Sequence, residues 1–600
     1  MLSSIRIRIT TAILGFATLL HGGVVYTAAS GDAVVPNQYI VRLKPGVDPS
    51  LITAHIPGAT VQSLLNLNLH VVTLPRPLPG ASIINLGADP LVQYVEPNHI
   101  RTLDIATPND PQYSSQWALP VIEAYQAWGV LSDPYLTAAT ASPSRLTVVV
   151  IDTGADCTHP DFMNTGGTST DSAYGGQLSF AQSQALVPTT INPAACPWQD
   201  DFGHGTHVTG IVGAATNNLT GVAGLGYMLQ VAEYKGLSSA GSGDDGLLAN
   251  AIMAAADAGI PIVSASWGSS GYSQAMQDAI TYAWQRNTLV FAAAGNNASP
   301  SLFFPADAAY AIGVAATDGS NNPANFSNYG DHIRVAAPGV SILSTMPTYP
   351  NPMTFTNYTT LSGTSMSTPF VAALAGLIWS QTPGTSGAAV LQRIQQSAVS
   401  NNVNGGWGPT TGYGVINAYN AVSGTLRTAT LGALTGQITD ANGNLISAQI
   451  TAGSQSVTSD ATGLYRIPAL TAGTYTVTVS TIGYPTLTLS ATIAPGADTI
   501  LPILLGNTYG EFTGTVTNGG TAIPGAIVQA ISNGLIVATA VADQNGNYNL
   551  WVTPPGTYNL QASALLSNNI VVTGVTVAAN SSTTVNLSGA VPVVVTSSPT

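Results

Sequence analysis

Residues Leu146–Ala155 read LTVVVIDTGA. The run Leu146–Ile151 is apolar and β-branched with no polar alternation, which predicts a parallel strand covered on both faces. Asp152 stands where this strand yields to a turn containing Gly154. Sites in open α/β sheets gather at the carboxyl ends of strands, although Asp is also common in turns for its own hydrogen bonding. Outward from this stretch, Leu248–Ala258 and Gln274–Gln285 read as helices, and Pro261–Ser266 (PIVSAS) and Leu289–Ala294 (LVFAAA) as strands. The alternation predicts βαβ units, and so one α/β domain over 107–425 with helices on both faces of a parallel sheet.

Different patterns flank this domain. Residues 31–105 read as a small α+β unit, with strands Gln38–Leu43 (QYIVRL), Leu69–Leu74 (LHVVTL) and Val92–Glu96 (VQYVE). Helices are expected in it near Pro49–His55 and Pro79–Leu86. Beyond about residue 430 helix signals vanish and an internal repeat appears. One copy runs from Leu434 through Asp460–Tyr465 (DATGLY) to Ala472–Val477 (AGTYTV). The other runs from Phe512 through Asp543–Tyr548 (DQNGNY) to Pro555–Leu560 (PGTYNL). Each copy, 431–506 and 510–589, predicts a small β-sandwich, and 590–600 remains as a tail.

Charged residues make up 7% of the chain, far below the roughly 25% of an ordinary soluble domain. The net charge of -14 argues against nucleic acid or an anionic membrane as a partner. Hydrophobic residues at 45% argue against disorder. Arg6 and Arg8, the apolar run Ile9–Leu20 and the small residues Ala28 and Ala29 form the pattern of a secretory signal peptide over 1–29. His21, Gly22 and Gly23 interrupt the run, against an uncleaved anchor. The expectation is a secreted monomer with no transmembrane anchor once the signal is removed. Cys157 and Cys196 are the only cysteines. In an oxidising compartment they could pair; the alternative is two unrelated buried thiols.

Three further segments carry chemistry. In Gly203–Gly210 (GHGTHVTG), His204 opens a helix whose small residues allow close approach to a strand, and so to Asp152. The HxxH made with His207 lacks the glutamate of a zinc-protease HExxH, so His207 reads as a packing or hydrogen-bonding residue. In Ser362–Pro369 (SGTSMSTP), Ser365 stands at the start of a strongly apolar helix, with Pro369 early enough to be tolerated. Free N–H groups there stabilise the oxyanion that acyl transfer creates. In Phe291–Asn297 (FAAAGNN), Asn296 follows a buried strand and offers a side-chain N–H₂ to the same charge; otherwise it is a turn residue.

These four patterns, in this order over 107–425, resemble the subtilisin family of serine proteases, its thermitase-like members in particular. The resemblance implies that Asp152 orients His204, that His204 takes the proton of Ser365, and that Ser365 attacks the scissile carbonyl. It gives Asn296 and the Ser365 N–H as the oxyanion hole. It places the cleft walls at Ser266, Trp267 and Gly268 and at Ala293, Ala294 and Gly295, with Gly241, Ser242 and Gly243 pairing with the backbone of a protein or peptide substrate. No charge stands in those segments, so an apolar or mixed preference is expected. The match at Phe304-Pro305 implies a cis peptide bond. Thr216–Val222 (TNNLTGV) resembles the family's calcium loop, implying Ca²⁺ held by Asp110, Asp161, Asn218 and the carbonyls of Thr216, Thr220 and Val222; an ordinary Asn-Gly loop is the alternative. Residues 31–105 resemble the family's propeptide, an intramolecular inhibitor cut off between about His99 and Asn109. The repeats resemble carboxypeptidase regulatory-like β-sandwiches, which could bind substrate, attach to a surface or act as spacers. Two other readings stand beside the secreted, self-processing endopeptidase. One is a sedolisin-type acid peptidase, disfavoured by His204; the other is a catalytically silent surface adhesion protein using its C-terminal β-domains.

Overall fold

A computed structural model describes residues 24–25, 34–64, 68–74, 85–99, 107–131, 145–163, 177–192, 194, 196–400, 402, 405–564 and 569–589. The expected signal peptide, apart from Val24–Val25, the tail 590–600 and most of the expected helix 79–86 lie outside the described residues. The chain divides into two compact units, Met1–Ala106 and Thr107–Thr600.

The first unit is a five-stranded sheet, in order Val24–Val25, Val92–His99, Val34–Leu43, Leu69–Thr73, Thr60–Ser63. The helix Ser50–His55 buries Ile52 against it, in a core with Val41, Leu43, Val72 and Val95. The strand Thr60–Ser63 escaped the sequence reading because it is a mostly exposed edge with no apolar run.

In the second unit, β1 (Thr147–Asp152) is buried at every residue, as its unbroken apolar run requires. There follow β2 (Gln184–Ala185), α1 (His204–Gly213), β3 (Gln230–Lys235), α2 (Asp245–Asp257), β4 (Ile262–Ala265), α3 (Gln274–Gln285), β5 (Leu289–Ala293), β6 (Ala311–Thr317), β7 (Ile333–Pro338) and α4 (Thr364–Gln381). The seven strands form one parallel sheet in the order β7-β6-β5-β4-β1-β3-β2. Chain order reverses between β1 and β4, which opens a crevice at their carboxyl ends. Helix α4 is buried from Met366 to Trp379 and lies on the sheet as its central support. Among the described residues, no helix is long and apolar enough to cross a membrane.

Each C-terminal repeat is a pair of β-sheets facing one another, as expected. The repeated D-x-x-G-x-Y has a physical reason. Asp460 accepts the N–H groups of Thr462 and Leu464, and Asp543 those of Asn545 and Asn547, so each carboxylate closes its own turn. Tyr465 and Tyr548 then donate their hydroxyls over the central strand of their own sheet to Leu501 O and Val585 O, both at 2.6 Å. The sandwiches are not separate from the α/β domain. Ala494 and Ala497 of the first and Ile527 and Val541 of the second join the same buried cluster as α4.

Candidate active site

The segment that brings His204 to Asp152 is laid beside the turn that follows β1. Ala155 and Gln199 form a parallel bridge, and Cys157 and Cys196 are joined by a disulfide. Gly205 then lets α1 touch that turn: a Cβ on it would lie 2.1 Å from Gly154 O. Its N–H donates to Thr153 Oγ1 at 2.8 Å. Asp200, which the sequence reading missed, holds the start of α1 by accepting the N–H groups of Gly203 (2.8 Å) and Thr206 (2.9 Å). An acidic residue just before a helix was the available signal.

These contacts set His204 Nδ1 2.8 Å from Asp152 Oδ1. Asp152 is fully buried, whereas His204 keeps part of its ring exposed. Burial pushes the imidazole down, but the Asp152 charge and hydrogen bond, with the Asp200 charge, outweigh it and hold His204 above its ordinary value. His207 is different. It is buried, its Nε2 faces the carbonyls of Ile342 and Thr359, and desolvation followed by the charge of His204 pushes it down to about 3. It is a buried residue that both packs and hydrogen-bonds, in line with the expectation of a packing or hydrogen-bonding role.

Ser365 is the second residue of α4 and is partly exposed. Its hydroxyl donates to Ser266 O at 3.0 Å, while the Ser266 hydroxyl donates back to Ser365 O at 2.8 Å. The second bond follows from Pro369. Lacking an N–H, Pro369 cannot close the helix bond to residue 365, and Ser266 supplies the missing donor. Because a hydroxyl carries one proton, the Ser365 proton must leave the Ser266 carbonyl before another base can take it.

Asn296 follows β5, with its Oδ1 accepting from Thr364 N (2.8 Å) and Oγ1 (3.0 Å). Among the described residues, its N–H₂ has no hydrogen-bond partner. A Cβ on Gly363 would lie 3.4 Å from Asn296 Nδ2 and 3.7 Å from Ser365 N, so glycine leaves open the space that both donors border. Ala294 is buried, and Gly295 donates to Thr364 Oγ1 at 3.1 Å. Trp267 is tied through Nε1 to Ile151 O at 2.7 Å, and Gly268 is exposed. Gly241, Ser242 and Gly243 are exposed, with Gly241 against the Phe202 ring. Phe304–Pro305 is cis. The arrangement offers a hydroxyl on a helix N-terminus, two N–H donors beside it, and an imidazole oriented by a buried carboxylate.

Away from this edge, Asp161 accepts from Val222 N (2.8 Å) and Asn218 Nδ2 (3.1 Å), and Asp110 accepts from Asn217 N and Asn218 N. Burial first, and the charge of Asp110 among lesser causes, pushes Asp161 up to about 8. Two buried carboxylates with no ion pair among the described residues fit an oxygen-seeking cation. The Asn218 oxygen accepts from Thr220 N rather than facing the carboxylates, so it fits less well than the sequence suggested. Thr216 directs its own hydroxyl to Gly224 O.

Residues 144–415 match the family described as "Subtilase family", and 433–506 and 511–588 match "Carboxypeptidase regulatory-like domain". The chain is 37% identical over 317 residues to "Thermitase" of Thermoactinomyces vulgaris, covering 53% of this chain and 99% of that protein. It is 36% identical over 339 residues to "Thermophilic serine proteinase" of Bacillus sp. (strain AK1), covering 56% and 74%. It is 33% identical over 447 residues to "Extracellular protease" of Xanthomonas campestris pv. campestris, covering 67% and 75%.

Proposed function

The chain belongs to the subtilase family of serine endopeptidases, and from that premise we propose that Ser365, His204 and Asp152 are its nucleophile, general base and orienting carboxylate. The 2.8 Å contact of His204 Nδ1 with Asp152 carries the reading, because it fixes the tautomer that leaves Nε2 free to take a proton. When a peptide carbonyl lies over Ser365, the hydroxyl turns from Ser266 O, gives its proton to His204 and attacks. The oxyanion forms beside Asn296 Nδ2 and the Ser365 N–H, and His204 returns the proton to the leaving amine. Water then repeats the sequence on the acyl-enzyme. The test is labelling with phenylmethylsulfonyl fluoride. The adduct is expected on the peptide carrying Ser365, with loss of casein hydrolysis in step; undiminished hydrolysis by fully labelled protein overturns the assignment.

The pH dependence follows from the sign of the His204 shift. The base works only when neutral, so kcat/KM falls as pH drops through its pKa. Since that pKa is raised, the acid limb should bend above the ordinary imidazole value of about 6.5. A bend well below this value counts against His204 as the base.

The chain is further proposed to be exported and made as a zymogen, with 31–105 as its intramolecular inhibitor. Its charge-poor, net-acidic composition and the pattern over 1–29 support export. Asp110 and Asp161 are proposed to hold a structural Ca²⁺, with carbonyls of Thr216, Thr220 and Val222. Bound there, the ion would supply charge neutralisation to two buried carboxylates and take no part in the chemistry. A calcium chelator should lower the melting temperature and added Ca²⁺ restore it; an unchanged melting curve removes the calcium.

A further inference from the structure

The slot that receives the side chain on the acyl side of the cut bond is already partly filled. This inference rests on the endopeptidase reading and concerns the substrate class of that same site. Two segments reach Ser365 from either side. One is Ser266–Gly268, whose Ser266 is hydrogen-bonded in both directions with Ser365. The other is Ala294–Gly295, whose Gly295 N–H is held by Thr364. The carbon attacked by Ser365 carries its side chain one bond away, so that side chain must enter between these segments.

A Cβ on Gly268 would lie 2.4 Å from Phe303 Cε1, and one on Gly295 2.9 Å from Phe303 Cγ. One phenyl ring thus touches both walls and spans the gap between them. Its backbone is held in place. Phe303 N donates to Asp307, which is paired with His332 at 3.3 Å. Phe304 exchanges hydrogen bonds with Ser269 at 2.7 and 2.8 Å, and its ring meets Tyr272 edge-on at 5.0 Å. At Gly268 the ring shares the place of a side chain with Phe304 O, and at Gly295 it shares that place with the Asn328 amide, so the ring narrows the space between the walls.

We propose that Phe303 is the specificity-determining residue of the primary pocket, closing it so that the enzyme cuts after Gly, Ala and Ser in preference to Leu, Phe or other large residues. This narrows the apolar or mixed preference expected from the uncharged pocket segments.

The test compares succinyl-Ala-Ala-Pro-Xaa p-nitroanilides with Xaa as Ala, Leu or Phe, alongside fragment mapping of a casein digest. For the parent, kcat/KM should favour Ala over Phe by at least about tenfold, the scale on which pockets resolve steric differences. In Phe303→Gly the Phe:Ala ratio should rise by roughly 10–100-fold. Phe303→Ala should shift the same ratio less. If neither variant folds, the preference of the parent decides. A parent that hydrolyses the Phe or Leu substrate as fast as the Ala one, or active variants with an unmoved ratio, overturns the pocket inference alone. Absence of hydrolysis of casein and of every peptide overturns the endopeptidase reading, and this inference with it.

Discussion

Ser365→Ala should lower kcat for casein or peptide hydrolysis by about 10⁶-fold, the scale measured for loss of the nucleophile in a related enzyme. The fold should hardly notice. Ser365 is partly exposed, and its hydroxyl makes one bond, to Ser266 O, worth about 1 kcal/mol. The Ser266 bond to Ser365 O involves only the backbone of residue 365 and survives the change. Asn296 and the Ser365 N–H remain, so the variant should still bind substrate with KM little altered, and a residual rate above water is expected from the oxyanion donors. The same variant should accumulate uncut near residue 105, whereas the parent shortens itself. Parent-like turnover in a protein whose melting curve matches the parent would remove Ser365 as nucleophile. Processing retained without turnover would assign the propeptide cut to another protease.

Much of this site is written locally in the chain. The β-branched run of β1 dictates a doubly covered parallel strand, and Asp152 ends it because the sheet stops there. The helix over His204 is legible from its small residues, since Gly205 must touch Gly154. Contacts set by tertiary structure are not legible. Pro369 announces that residue 365 has a vacant carbonyl, but nothing local says that Ser266, just past the end of β4, fills it. Phe303 reads as one more apolar residue in a loop, and its contact with both Gly268 and Gly295 exists only because these glycines, beyond the ends of β4 and β5, carry no side chain. The docking of the sandwiches was hidden for the same reason. Asp498 looks like a turn residue in PGADT until Arg334 and Gln395 are seen to converge on it from the α/β domain.

That convergence makes Asp498→Asn the most informative change outside the site. The Asp498 carboxylate accepts from Arg466 at 2.7 Å and Tyr413 at 2.9 Å on one oxygen. The other oxygen faces Gln395 Nε2 at 3.1 Å and Arg334 Nε at 3.3 Å. Burial opposes its ionisation, but the charges of Arg466 and Arg334, with the Arg466 and Tyr413 hydrogen bonds, hold the carboxyl below its ordinary value. Neutralising it leaves two guanidiniums facing each other, with the Arg466 side chain 3% exposed. Removing one partner of such a buried group costs about 3–5 kcal/mol, even where the intact pair adds little net stability. At about 2 cal/mol/K per residue, a unit of roughly 490 residues melting as one should lose about 3–5 °C. Casein hydrolysis should fail at the same lowered temperature, because the cluster behind α4 is shared by Ala497, Ile527 and Val541. A chain ending near 425 uncovers that cluster and should lose far more, inactivating where the full protein survives. If Asp498→Asn and the shortened chain both keep activity to the parent temperature, the sandwiches are carried by the catalytic domain without supporting it.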